Sequence, residues 1–510
     1  MTSRYYVTTP IYYVNGAPHI GHAYTSVAAD IIARFHRLDG REVFFLTGTD
    51  EHGQKVEQAA AQAGQSTLDF VDGISRNFKD MADAMGISYD RFIRTTEARH
   101  RDAAQALWRQ VAENDHIYLG AYEGWYALRD ECFYSEDEIT LLEDGTHIAP
   151  SGAPVTWVKE ESYFFRLSAF QDQLLALYEA NPHFLGPAGR RKEIISFVKS
   201  GLRDLSISRT SFSWGIPVPG DPKHVMYVWF DALANYLSAL GYPDMQNEGM
   251  RFWPANAHIV GKDIIRFHAV FWPAFLMAAG LDLPDAIFAN GWWTIEGQKM
   301  SKSLGNVIDP RDLASEFGVD AVRFFMMREV PFGGDSDLSR KSLINRVNVE
   351  LANGLGNLAQ RTLTQINRHF DGKLPEWGDI QGDDRDLLAQ SSLLPDLLRQ
   401  HVARFALTDG LEAVWKVVRA CNAYIDHQAP WVLKKTDPVR MGTVLRTLHE
   451  ALRHIAIVLQ PYMPGTMDKL LTQLGISQNA RQLADLAQGE IDAELPAPQG
   501  LFPRFVEEGA

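Results

Sequence analysis

The spacing of apolar and polar positions changes rhythm along the chain, and each change predicts an element. Residues 4–14 (RYYVTTPIYYV) are rich in Tyr, Val, Thr and Ile, the composition of a strand. Pro10 ends or bends that strand. After His22 the rhythm is helical: Val27, Ile31, Ile32, Phe35 and Leu38 fall on one face. Asp39-Gly40 is a helix stop. VFFLTGTDEHG (43–53) then reads as a short buried strand closed by a glycine-containing loop. Strand, helix and strand in succession make a βαβ unit and a parallel sheet. Residues 116–224 break this pattern with aromatic-rich, strand-like stretches and Gly/Pro turns, the mark of an inserted α+β subdomain. The α/β rhythm resumes at MYVWFDAL (226–233). It continues through HIVGKDIIRFH (258–268), a strand, a tight turn and a helix start, and IFANGWW (287–293), a further strand. From about 343 onward the spacing is almost purely helical, which predicts a separate bundle, with a polar break from Gly372 to Asp384.

Composition bounds the rest. A chain of 510 residues, 46% hydrophobic and 22% charged, is an ordinary globular protein of about two to four domains. No apolar run reaches the ~18 residues of a membrane span. The N-terminus lacks the apolar core and cleavage site of a signal peptide. Cys132 and Cys421 are far apart, which excludes a disulfide framework and suits a reducing cytoplasm. A net charge of −15 argues against a protein that coats nucleic acid nonspecifically, but leaves room for a specific RNA partner met by a local basic face.

Two clusters carry candidate chemistry. PHIGH (18–22) falls at a strand-to-helix turn, at the carboxyl ends of parallel strands where ligands bind. A helix N-terminus there offers unpaired N–H groups to an anion. His19 and His22 add hydrogen-bond donors, and Gly21 permits close approach. The second cluster, GQKMSKSLGN (297–306), is a polar loop whose Lys299 and Lys302 act as point charges on phosphates. Neither common phosphate fingerprint is present. GTDEHGQK (48–55) has Gln where a P-loop needs Lys, and no G-x-G-x-x-G follows the first strand.

HIGH at 19–22 and KMSKS at 299–303, both intact and in this order, resemble the paired signatures of class I aminoacyl-tRNA synthetases. TPIYYVNGAPHIGH, TGTDEHGQK, YVWFDAL, IVGKDIIRFH and NGWW resemble the methionyl branch of that family. The similarity spans nearly the whole chain, including NLAQR (357–361) and APW (429–431). The resemblance implies a Rossmann-type parallel-sheet catalytic domain in two halves, 1–115 and 225–322, split by a connective insert at 116–224. A stem-contact junction at 323–350 and an α-helical anticodon-binding domain at 351–510 follow.

It also implies activation of L-methionine with ATP, then transfer of methionine to the terminal adenosine of tRNA(Met). His19, His22, Lys299 and Lys302 would be catalytic. Asn15, Gly21, Gly261, Asp263, Asn290 and Gly291 would join them at ATP, with Met300 and Ser301 of the loop. Mg²⁺ would accompany the nucleotide. Asp50 would take the methionine ammonium. Ile11, Tyr13, Trp229, Ala232, Leu233 and Tyr236 would form the side-chain pocket together with Ile264, His268 and Trp272. Asn357, Arg361 and Trp431 would read the anticodon, since single-stranded loops are recognised by stacking and base-edge hydrogen bonds.

One departure stands out. Many members carry zinc knuckles built from CxxC pairs in the insert, and here 116–224 holds only Cys132, so no structural zinc is expected. The chain ends at LFPRFVEEGA, without the appended dimerising module of some members, which suggests a monomer. Rival readings are another class I synthetase, a small nucleotidyltransferase of the same superfamily, and an RNA-binding derivative without activity.

Overall fold

The computed structural model of the chain describes residues 3–130, 132–299, 307–487 and 494–506. Six strands form one parallel sheet, in the order Arg91–Arg94, Glu42–Asp50, Arg4–Tyr13, Ala257–Gly261, Ile287–Asn290, Leu185–Gly186. The chain builds outward one way from the first strand through Glu42–Asp50 to Arg91–Arg94, and the other way from Ala257–Gly261 to Ile287–Asn290, with the earlier Leu185–Gly186 added at that edge. Strand order therefore reverses between Arg4–Tyr13 and Ala257–Gly261, and such a reversal leaves a crevice at the carboxyl ends. Arg4–Tyr13 is buried over nearly its whole length, as a parallel strand covered on both faces must be. Pro10 bends it rather than ends it. Pairing with Glu42–Asp50 continues to Tyr13, with an irregular register between Thr8 and Ile11.

The first helix, Ile20–Leu38, starts inside the HIGH motif instead of after it, because His19 caps it. More than its apolar stripe is buried: Thr25, Ser26, Asp30 and His36 are inside as well. Thr25, Ser26 and His36 face partners on the sheet, whereas Asp30 faces a second layer that covers the helix from its other side. Ser26 Oγ meets Tyr12 OH at 2.7 Å, and Asp30 meets Arg323 at 2.7 Å. The His36 ring stacks on Tyr5, and burial holds it down to about 3, so it stays a neutral packing group.

The covering layer is C-terminal. One apolar core runs from Ile20 and Val27 through Val322, Phe325 and Leu351 to Leu448 and Leu471. The C-terminal helices thus pack directly on the sheet layer. Its central helix, Pro438–Leu459, is buried almost throughout, begins with Pro at its first turn and is capped by Asp437. The break between Asn357–His369 and Gly382–Ser392 lies where polarity placed it.

The insert is less uniform than its composition suggested. Ile117–Ala127, Cys132–Tyr134, Thr156–Phe165 and Leu205–Ser206 make an antiparallel sheet. The segment then leaves it, and Leu185–Gly186 becomes the edge strand of the central sheet, paired with Ile287 and Phe288. That return was illegible because a two-residue strand has no periodicity. The insert's tip is held by aromatic contacts, Trp125 stacking on His147 at 4.1 Å and meeting Trp157 edge-on at 5.3 Å. Asp130 adds hydrogen bonds from Tyr134 and Ser151. IFANGWW likewise divides: Ile287–Asn290 belongs to the central sheet, whereas Trp293–Ile295 pairs with Ser336–Leu338 and Gln298–Lys299.

Candidate active site

A cavity of about 650 Å³ opens at the reversal point. Ile11 and Tyr13 reach it from the end of the first strand, Asp50 from the second, Gly261 and Asn290 from the other half of the sheet. His19 and His22 stand at its rim on the first helical turn.

The two histidines cap that helix reciprocally. His19 Nδ1 accepts from the backbone N–H of Gly21 at 3.1 Å, and His22 Nδ1 accepts from the backbone N–H of His19 at 3.1 Å. This is a capping box built from imidazoles instead of Ser and Glu. An accepting Nδ1 carries no proton, so the neutral ring must carry it on Nε2. The cap therefore fixes one tautomer in each ring and leaves Nε2–H as its donor. The rings lie 3.8 Å apart. Burial, and then the neighbouring His19, push His22 well below the ordinary histidine value. His22 is neutral near pH 7.

Across the cavity, the helix Val228–Leu233 presents Trp229, Ala232 and Leu233. Trp229 is stacked flat on Phe267 at 3.8 Å. Tyr236 and His268 form the floor. His268 Nδ1 donates to Ile264 O at 3.0 Å, which makes Nε2 an acceptor for the Tyr236 hydroxyl at 2.7 Å. Burial lowers His268 to about 4, so this neutral arrangement persists at neutral pH. Ile264 and Asp263 follow Gly261, and Asp263 accepts from Trp292 Nε1 at 3.3 Å. Asn290 accepts from Thr25 Oγ1 at 3.0 Å. Gly291 has no room for a side chain, since a Cβ there would stand 2.1 Å from Gly334 O.

Most of the expected site residues therefore share this one cavity. Trp272 and Asn15 do not line it. Trp272 is fully buried behind the floor, its Nε1 donating to His258 Nε2 at 3.3 Å and its ring 5.8 Å from Tyr236. It supports Tyr236 from below. Asn15 lies on the exposed turn after Tyr13. The backbone of Lys299 pairs with Thr294, a cavity-lining residue. Met300, Ser301 and Lys302 lie outside the described residues. Other lining residues went unread in the sequence. Trp292 sat within a quoted motif, whereas Thr25 and the insert's Arg129 and Asp130 gave no local signal.

Far along the chain, Asn357 is exposed at the start of its helix. Arg361, one turn later, lies over the Trp431 ring at 5.2 Å and pairs with Asp426 at 2.6 Å. Trp431 is 38% exposed, a large solvent share for its size.

Comparison with known proteins matches both parts of the chain. Residues 5–363 fit the model of the class I tRNA synthetases (M), and residues 375–508 that of the anticodon binding domain of methionyl tRNA ligase. The methionine–tRNA ligase of Brucella suis is 53% identical over 506 residues, covering 99% of this chain and 98% of that protein. That of Rickettsia felis is 54% identical over 513 residues, covering 99% of each. The methionyl-tRNA synthetase of Mycobacterium tuberculosis in complex with methionyl-adenylate superposes with a TM-score of 0.96 at 50% identity, covering 99% of this chain and 100% of that one. Its apo form gives 0.90 at 46% identity, covering 99% of each chain.

Proposed function

Because the chain belongs to the methionyl-tRNA synthetases of class I, we propose that the cavity at the strand reversal is where it activates methionine. The family's enzymes join methionine to ATP, release pyrophosphate, and pass methionine to tRNA(Met). The whole-chain match sets aside the other class I synthetases and the small nucleotidyltransferases. The observation that carries the site assignment is the meeting of His19, His22, Asp50 and the Trp229–Tyr236 wall in one hollow.

In the first step a methionine carboxylate oxygen bonds to the α-phosphorus while the bond from that phosphorus to the pyrophosphate oxygen breaks. Negative charge grows on the non-bridging oxygens and the leaving group. Two Nε2–H donors, fixed in advance by the helix cap, stabilise that charge without reorganising. Asn290, Gly291, Gly261 and Asp263 surround the nucleotide, and Lys299 and Lys302 close over its outer phosphates. ATP enters as its magnesium complex. The magnesium rides on the phosphates as part of the substrate, since this ion keeps most of its water and phosphate ligands and takes few from protein.

Asp50 binds the ammonium group. Trp229, Tyr236 and Ile11 enclose the thioether, whose polarisable sulfur packs well on aromatic rings. Asn357, Arg361 and Trp431 read the anticodon, residues 323–350 meet the tRNA stem, the insert carries no zinc, and the chain acts as a cytoplasmic monomer. Among the described residues no helix is long and apolar enough to cross a membrane.

ATP–pyrophosphate exchange measured with each of the twenty amino acids is expected to respond to methionine alone. Comparable exchange with leucine or isoleucine would overturn the assignment. Trp431→Ala is expected to leave methionine-dependent exchange within about twofold. It should lower the kcat/KM of tRNA charging about 5- to 100-fold, the worth of one stacked base. Equal loss of both activities would refute the division of labour.

A further inference from the structure

A buried chain of polar groups behind the cavity takes no part in the chemistry above. Asp231 lies on the helix Val228–Leu233 with its side chain fully buried. Its Oδ2 is 2.7 Å from His52 Nδ1, and its Oδ1 is 2.7 Å from His100 Nε2. His100 Nδ1 is in turn 2.9 Å from Ser238 Oγ. An ionised carboxylate only accepts, so both facing imidazole nitrogens carry protons and donate. Burial pushes Asp231 up, but the charge of His52 and the hydrogen bonds from both histidines outweigh it and hold the carboxyl down to about 2.

The three residues come from three separate elements. His52 follows Asp50 on the loop closing the strand Glu42–Asp50. His100 is on the helix Ala98–Glu113, and Asp231 is on the helix whose other face meets the cavity. That helix has only six residues and no side-chain cap at its start. So short a helix is marginal alone, and its placement depends on tertiary contacts. The loop is held from the opposite side. Glu51 accepts from Arg94 Nε at 2.7 Å and Nη2 at 2.9 Å, and from Thr49 Oγ1 at 2.7 Å. Asp50 thus sits between one anchor to the sheet and one anchor to the helix.

We propose that Asp231 is a positioning residue for the amino-acid site. By accepting from His52 and His100 it ties the loop carrying Asp50 to the helix carrying Trp229, Ala232 and Leu233, and so sets how long a side chain the site accepts. The proposal rests on the reading that Asp50 takes the ammonium and that helix walls the side-chain pocket. The two ends of the substrate then touch elements whose separation this buried chain determines. Loosening it changes discrimination by length. Ethionine, one methylene longer than methionine, reports that change, because one methylene in an apolar pocket is worth about 10- to 200-fold.

The test compares methionine- and ethionine-dependent pyrophosphate exchange. Asp231→Asn and His52→Leu are expected to raise the methionine KM about tenfold, with the ATP KM within about twofold, and to lower the methionine-to-ethionine ratio of kcat/KM about tenfold. His52→Asn, which keeps an N–H near the place of Nδ1, is expected to recover most of that ratio. Should Asp231→Asn fail to fold, His52→Leu, on the loop, carries the test. An unchanged ratio in His52→Leu overturns the proposal, as does a uniform fall for both amino acids. Asp50→Asn separates the two readings. If it leaves the methionine KM unchanged, the ammonium assignment itself fails. If it raises that KM at least tenfold while His52→Leu keeps the wild-type ratio, only the positioning role of Asp231 is lost.

Discussion

His22→Ala lowers the kcat of methionine-dependent pyrophosphate exchange by about 10²- to 10³-fold, the usual cost of one preorganised donor to developing charge. The methionine KM is expected to change little, since the pocket lies across the cavity. His22→Gln, which keeps an N–H donor near the place of Nε2, recovers part of the loss. The substitution also removes the acceptor for the His19 N–H, a helix-cap loss of about 1 kcal/mol. A thermal melt alongside the kinetics separates that structural share. The pH profile supplies a second check. Burial and His19 hold His22 well below 6.5, so its neutral form persists as pH falls below that value. The kcat is expected to show no step near pH 6.5 from this residue. A loss of less than tenfold on removing the ring, with the fold intact, would sink the assignment.

Arg323→Leu destabilises the protein by about 3–5 kcal/mol, read as a shift of the urea midpoint at pH 7. The Arg323 side chain is fully buried. It donates to Asp30 on the HIGH helix at 2.7 Å, to Tyr462 O at 3.0 Å, to Pro461 O at 2.8 Å and to Met85 O at 3.2 Å. Leucine fills part of the volume and satisfies none of these acceptors. Asp30 keeps Arg34 and Ser88, which is why the loss stops short of unfolding the chain outright. Burial raises the Asp30 carboxyl, but Arg323, Arg34 and the Ser88 hydrogen bonds bring it below the usual 3.8. A depressed folded-state value contributes stability above the unfolded value that is lost as pH falls through the folded one. Acid unfolding of Arg323→Leu is therefore expected to begin at higher pH than in the parent. A midpoint shift worth less than about 1 kcal/mol would show that the carbonyls find other partners.

How much of the site could be read in advance depended on distance along the chain. The HIGH turn was legible because a strand, a glycine and a helix start lie within one local stretch, and helix termini have the same electrostatics in any fold. Its start was misplaced by a turn because histidine is not among the usual capping residues. Tyr236 and Trp272 were assigned alike to the pocket by the family resemblance, for both sit in apolar stretches that local spacing cannot tell apart. Only the packed structure shows Tyr236 facing the hollow and Trp272 beneath it.

The helical bundle was legible from periodicity, but what it packs against was not. Helical periodicity reports which face is apolar, not what covers it, and here Val322, Phe325 and Leu351 share one core with Ile20 and Val27. Local spacing, turn chemistry and motif order are properties of neighbouring residues, so the chain itself determined the strands Arg4–Tyr13 and Glu42–Asp50, the body of the first helix and the residue types at each end of the cavity. Contacts such as Asp231 with His52, or Arg323 with Asp30, join residues 179 and 293 positions apart. They exist only where packing expels water and a buried charge must be met by groups that the fold brings to it. Tertiary structure alone decided which polar groups meet, which aromatic faces the hollow, and how far Asp50 stands from the pocket wall.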